Sequence, residues 1–263
     1  MSNEDHHQHT LLSQLKLLTR RMPSLQVLAF ATVAVLGIAF AMVFFYAPND
    51  ADQGFIQKIF YVHVPIAICA LIGFVVAAFH AIRHLRTGDP IHDVRSYVAI
   101  HMGVIFGTAA LLTGAIWARA AWGKWWVWEE PTLVSFLIVY LLYATYYPLR
   151  YSIEDRERQA RYASVFAITA GAFVPLNFMA VRLAESLVHP RVFATADGGL
   201  PPEMLLTFLV SITGMALLFI TLTRFEMSAK MTKGQISRLR RALDSEAPAA
   251  PPSRIAPAVP NET

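Results

Sequence analysis

Six stretches of about 20 apolar residues account for most of the chain: Leu25–Ala47, Phe60–His84, Ser96–Ala118, Thr132–Arg150, Tyr162–Leu187 and Glu203–Phe225. A bilayer's hydrocarbon core is about 30 Å thick and needs about 20 helical residues to cross it. Within lipid the backbone polar groups must find partners inside their own segment, which an isolated span achieves only as a helix. Composition agrees: 56% of the 263 residues are hydrophobic and 15% charged, against roughly 45–50% and about 25% in ordinary soluble domains. The predicted fold is therefore an all-α polytopic membrane protein of six transmembrane helices. The first window is too long for a signal-peptide core and has no small-residue cleavage site, so it reads as a retained anchor.

An even number of spans places both termini on one side, and the distribution of Lys and Arg selects it. All but five of these residues precede the first span, fill or flank the second and fourth connections, or lie at or beyond the end of the last span. The exceptions are Lys58, Arg119, Lys124, Arg182 and Arg191. Both termini are expected to be cytoplasmic, with the first, third and fifth connections outside. The expected organisation is a basic amphipathic leader over 1–24, a six-span membrane domain over 25–225, and a cytoplasmic basic segment with a tail over 226–263. Within the leader, Thr10–Arg21 suits the inner lipid surface. Met227–Leu243 reads as a further basic helix, and Ala247–Thr263 is a Pro/Ala-rich stretch that cannot build a core.

A single cysteine, Cys69, excludes an internal disulfide framework, thiolate zinc sites, iron–sulfur ligation and a Cys-x-x-Cys-His haem attachment site. No Gly-rich phosphate loop or Ser-His-Asp spacing is present, and nothing in the sequence calls for a nucleic-acid partner.

The unusual residues collect in one place. All five tryptophans, Trp117, Trp122, Trp125, Trp126 and Trp128, fall at or near the third connection. An aromatic belt would decorate many span ends, but the other ends lack Trp. A helical Trp122–Glu129 would bring Trp122, Trp125, Trp126 and Glu129 to one face. The expectation is a flat aromatic shelf for a large planar ligand at the outer boundary.

Two histidines are expected at the same level. His63 opens the second span in KIFYVHVPIA, where Pro65 suits a helix-beginning turn, and His189 is in the fifth connection. Imidazole is a good axial ligand for haem iron, and two histidines would bind both faces of one macrocycle without cysteine. The five outer cations surround this level, and Arg119 is the preferred partner for a haem propionate. The remaining histidines read differently. His6, His7 and His9 form a solvated run, while His80, His84 and His92 suggest a titrating cytoplasmic surface. His101 is within the membrane, as a packing residue or a functional one. Pro175 and Asn177 point to a kink in the fifth span, packed against neighbouring helices.

Thr113–Trp128, TGAIWARAAWGKWWVW, closely resembles the tryptophan-rich signature of the haem-handling proteins of bacterial cytochrome c maturation, above all the CcmC branch of the CcmC/CcmF/CcsA superfamily. The family pattern is W-G-x-W-W-x-W-D, matched by Trp122, Gly123, Trp125, Trp126 and Trp128. Its final Asp is Glu129 here, with Glu130 next in line, and the motif's acid role is open between them. KIFYVHVPIA is similar to the family segment that carries a histidine at the position of His63. VPLNFMAVRLAESLVHP keeps the pattern ending in His189, with Leu183 and Ala184 at aromatic positions. The likeness covers roughly Leu25–Phe225.

The resemblance implies a multi-pass protein of the bacterial cytoplasmic membrane that holds a transient b-type haem on its outer face. His63 and His189 would be the axial ligands, and the motif tryptophans with Glu129 would cradle the ring. The implied partners are a membrane-anchored periplasmic haem chaperone, an ATP-binding cassette pair and small membrane subunits. Such a protein is an export component rather than a turnover enzyme. The alternatives are a haem synthase delivering directly to apocytochrome c and a cytochrome b-like electron carrier, for which His80 with His101 would be the histidine pair.

Overall fold

The structure, a computed structural model, describes residues 24–183, 187–189 and 199–246. The leader to residue 23, Glu185, Arg191 and the tail from residue 247 lie outside the described residues. Among those described, every extended regular element is helical, and six segments are long and apolar enough to cross a membrane. Contacts separate the chain into two units, Met1–Met227 and Ser228–Thr263.

Short polar signals set the helix ends. Helix α1 (Leu25–Phe45) starts at Ser24, whose hydroxyl accepts the Val27 N–H at 3.3 Å. A 3-10 turn, Phe55–Ile59, runs straight into α2 (Phe60–Thr87). Pro65 is thus inside α2 and not in its first turn, because the preceding 3-10 turn supplies the helix entry. Asp89 caps α3 (Pro90–Trp122) by accepting the Ile91 N–H at 2.9 Å, and Pro90 occupies its first position. There the missing N–H of proline costs nothing. The fourth span is two pieces, α4 (Pro131–Ala144) and α5 (Tyr146–Tyr151), and the fifth is α6 (Arg156–Gly171) and α7 (Phe173–Leu183). The break before α7 follows from Pro175, which cannot donate to the carbonyl four residues back. The last span belongs to α8 (Pro202–Glu246), so the basic Met227–Leu243 stretch continues that helix.

Lipid offers little hydrophobic drive between helices, so association depends on close packing and polar contacts. The buried positions fit that rule. Ala70, Gly73, Ala77 and Ala81 line one stripe of α2, and Ala99, Gly103, Gly107 and Ala110 line α3. Ala163, Ala167 and Ala170 line α6. Large apolar side chains point outward instead: Phe30 is 78% and Phe45 90% exposed. Contact is close enough at Gly103 that an added Cβ would meet Phe74 Cε1 at 2.6 Å. Phe74 is itself stacked on Tyr143 at 4.0 Å between centroids.

At the end of the bundle where α2 stops and α3 starts, polar groups are paired inside the protein. Arg150 grips Asp93 through two bonds of 2.7 and 2.6 Å and donates to the Tyr146 hydroxyl at 2.8 Å. His80 Nδ1 is 3.1 Å from His92 Nδ1, while Arg83 Nε donates to His92 Nε2 at 3.2 Å. His84 Nδ1 is 2.9 Å from Ser164 Oγ. The surface role expected for these histidines is therefore corrected: His92 is buried, and each ring is held by an interhelical partner.

Candidate functional site

Helix entry and exit at the opposite end of the bundle bring the distinctive residues together. His63 is on the first turn of α2, Trp117 and Trp122 close α3, and the third connection returns into α4. These elements, with α7 and the 187–189 segment, enclose a cavity of about 300 Å³, at the low end of the roughly 300–1,000 Å³ of small-molecule sites. His63, His189, Trp117, Trp122 and Trp126 all line it. Most of the remaining wall is apolar, with Ile68, Leu71, Leu111, Leu133 and Phe136 among its residues. Thr132, Asn177 and Arg182 add polar groups.

The surroundings of the His63 ring favour one proton arrangement. With the Thr113 hydroxyl donating to the Ala109 carbonyl at 2.8 Å, its oxygen accepts at 3.0 Å from His63 Nδ1–H. That leaves Nε2 as the unprotonated nitrogen, the form in which imidazole ligates a metal. Gly114 makes the ring's position possible, since a Cβ there would meet His63 Cε1 at 2.8 Å. Trp117 meets His63 edge to face at 5.7 Å, and its indole N–H donates to Gln53 Oε1 at 2.8 Å.

His189 is held from a distance in sequence. Glu130 is fully buried at the entrance to α4, and its Oε2 accepts the backbone N–H groups of Leu187, Val188 and His189 at 2.9, 3.0 and 3.3 Å. Burial alone would raise this carboxyl's pKa, but those N–H groups and that of Thr132 outweigh it and bring it below the ordinary value. Trp122 approaches the His189 ring to 6.4 Å.

Several expectations need correction. Trp122–Glu129 is not a helix: α3 stops at Trp122 because Gly123 adopts the left-handed conformation (φ +74°) and bonds back to the Arg119 carbonyl at 3.1 Å. Glycine is the residue that reaches this conformation without a Cβ penalty. The shelf is therefore divided. Trp122 and Trp126 face the cavity, whereas Trp125 (61% exposed), Trp128 (69%) and the exposed Glu129 are not on its wall. Trp128 instead meets Trp126 at 5.9 Å. Arg119 is also off the wall, because its guanidinium turns back to the Gly123 carbonyl and helps close the helix end. Lys58 is not a surface cation: it is buried and donates to the Val43 and Ala47 carbonyls at 2.6 and 2.8 Å. Its ammonium thereby closes the end of α1.

The intramembrane histidine pair does not form. Ser96 bonds to Ala77 and Gly103 abuts Ala70, a register that places His101 opposite residue 72. His80 is eight residues further along α2, about 12 Å at 1.5 Å per residue. His101 faces Glu226 instead, with Nδ1 and Oε1 3.5 Å apart. Among the described residues no cluster of three or more His, Cys, Asp or Glu side chains could hold a metal ion.

Glu130's tether and the roles of Thr113, Gly114 and Gln53 are not visible in the sequence. Only Gly114 carried a local signal, a glycine one turn before Trp117. Asn177, expected at a kink, donates through Nδ2 to Ser135 Oγ at 2.7 Å, which joins α7 to α4 at the cavity wall.

Comparison with known proteins adds an independent line. The family model described as "Heme exporter protein C" matches residues 9–242. A protein of that name from Bradyrhizobium diazoefficiens is 31% identical over 214 residues, covering 81% of each chain. Its Rhodobacter capsulatus counterpart is 30% identical over 81% of this chain and 90% of its own. One from Escherichia coli K12 is 30% identical over 76% and 80%. With a family match over most of its length and relatives at this identity, the chain belongs to the heme exporter protein C family.

Proposed function

We propose that this protein handles haem for cytochrome c maturation: it holds haem at the outer face of the bacterial cytoplasmic membrane and presents it to a periplasmic haem chaperone. The observation that carries the reading is the meeting of His63 and His189 on one largely apolar cavity walled by Trp117, Trp122 and Trp126. Two imidazoles suit the axial positions of a haem iron, and indole rings suit the face of a macrocycle. The cavity therefore fits the group chemically.

In this reading Thr113 keeps His63 in the ligating tautomer, and Glu130 positions the segment carrying His189. The tryptophans exclude water from part of the ring. The exposed Trp125, Trp128 and Glu129 form the face offered to the chaperone. Partner subunits, including an ATP-binding cassette pair, would drive release of the loaded chaperone. The cytoplasmic termini and the outward orientation rest on the Lys and Arg distribution.

The test is the absorption spectrum of the purified full-length protein beside His63→Ala and His189→Ala. The expected result is a bis-histidine Soret spectrum in the parent and loss of haem, or a change of spin state, in each variant. An unchanged bis-histidine spectrum in either variant overturns the ligand assignment. Trapped complexes identify the recipient: haem held with a small chaperone supports the proposal, and haem held with apocytochrome c supports direct delivery.

A further inference from the structure

Of the five cations expected around the cavity, Arg191 lies outside the described residues, two are engaged at helix ends, one is exposed away from the wall, and one lines it. Lys58 is bound to two carbonyls of the first helix end, and Arg119 to the Gly123 carbonyl. Lys124 is exposed and off the wall. Among the described wall residues, Arg182 alone carries a permanent charge, and no carboxylate is among them. Glu130 directs Oε2 to the 187–189 backbone.

The placement of Arg182 gives the cavity two unlike ends. Asn177 contacts Ser135, one turn into α4. From there α7 runs five residues towards the mouth, roughly 7.5 Å at 1.5 Å per residue. Arg182 is thus near the level of the α4 entrance. Leu71 is eight residues beyond His63 in the other direction, about 12 Å deeper by the same rise, among Ile68, Leu111 and Phe136. A ligand with one acidic edge and one apolar edge matches this polarity in a single orientation. Guanidinium also offers a planar fork suited to carboxylate.

We propose that Arg182 is the carboxylate anchor of the cavity, binding a propionate of the tetrapyrrole at the mouth and so selecting for free acids over capped ones. This rests on the haem reading of the site. It replaces Arg119, whose guanidinium is engaged at its helix end.

The experiment titrates the apo form of the full-length protein in lipid nanodiscs with haem and, separately, with haem dimethyl ester, whose carboxylates are capped. Soret absorbance is followed. The parent should bind haem about 10- to 100-fold more tightly than the ester, the range expected for a charge-assisted bond worth roughly 1.5–3 kcal/mol. Arg182→Met should erase that preference while keeping the bis-histidine spectrum. Arg182→Lys should restore part of it, and Lys124→Met should leave it intact. Equal affinity of the parent for the two compounds, or full preference in Arg182→Met, overturns the proposal. If haem binds with His63-dependent ligation and Arg182→Met still discriminates, only the anchor fails. If the parent shows no His63-dependent Soret spectrum, the haem reading fails with it.

Discussion

Glu130 and His189 are joined through the backbone: the carboxylate Oε2 accepts the histidine's own N–H at 3.3 Å, along with the two N–H groups before it, across 59 residues of sequence. An imidazole in the fifth connection is thereby positioned by a residue at the start of the fourth span. Three bonds to one ionised acceptor are charge-assisted, and each is stronger than a neutral one.

Replacement of this carboxylate separates the two neighbouring acids. Glu130→Gln keeps the volume but removes the charge, so haem retention should fall on the order of 10- to 100-fold, the range for lost ligand-supporting bonds. Glu129→Gln, at an exposed position off the cavity wall, should retain haem and weaken capture by the chaperone instead. Haem-to-protein ratios after purification, with a chaperone pull-down, check both.

Acidification should act on the same tether. The Glu130 carboxyl is held below its ordinary pKa in the folded protein, so its contribution is complete above the unfolded value and is lost as pH falls through the lower folded value. The tether should therefore weaken at a lower pH than an unperturbed carboxylate would set. In Glu130→Gln the carboxylate's part of a spectroscopic pH titration should vanish, leaving only protonation of the imidazoles.

Thr113→Val removes the oxygen that accepts the His63 Nδ1 proton. Haem affinity should drop about 10- to 100-fold, with the bis-histidine spectrum still reached at saturating haem. A titration with unchanged affinity would remove Thr113 from the site.

Gly114→Ala places a methyl 2.8 Å from His63 Cε1. The ring must shift off its present position, so haem should be lost while the protein still elutes as a folded species. Size-exclusion chromatography with dual detection at 280 nm and the Soret band reads both properties at once.

Asp93→Asn addresses stability without the cavity. Removing one partner leaves Arg150 with an uncompensated charge between helices, a loss of about 3–5 kcal/mol in buried pairs. A lower unfolding temperature in detergent with a normal Soret spectrum is expected. Loss of haem at permissive temperature would contradict the separation of the two ends.

The spans were legible because lipid leaves so few alternatives for an apolar window. Their ends were not, because charge can be paired rather than excluded: His92, Asp93 and Arg95 kept Pro90–Arg95 out of the third window, yet α3 begins at Pro90 and Asp93 is matched by Arg150. Asp89-Pro90 was a readable helix start that apolar counting overlooks. That His63, His189, Trp122 and Trp126 meet on one cavity was legible from residue type and level alone. The helical shelf failed because a single glycine, Gly123, outranks the tryptophan spacing around it. Glu130 was illegible for a different reason, since its acceptor role exists only once residues 187–189 come to rest against it.

The small-residue stripe between α2 and α3 has a mechanical consequence. It locks the helix bearing His63 to the helix bearing Thr113, Gly114 and Trp117, so one imidazole stands on an unyielding frame. The backbone of the other is tethered by hydrogen bonds to the Glu130 carboxylate. On the proposed haem reading, such a clamp has one fixed jaw and one tethered jaw, and a cargo that must leave whole would depart first from His189.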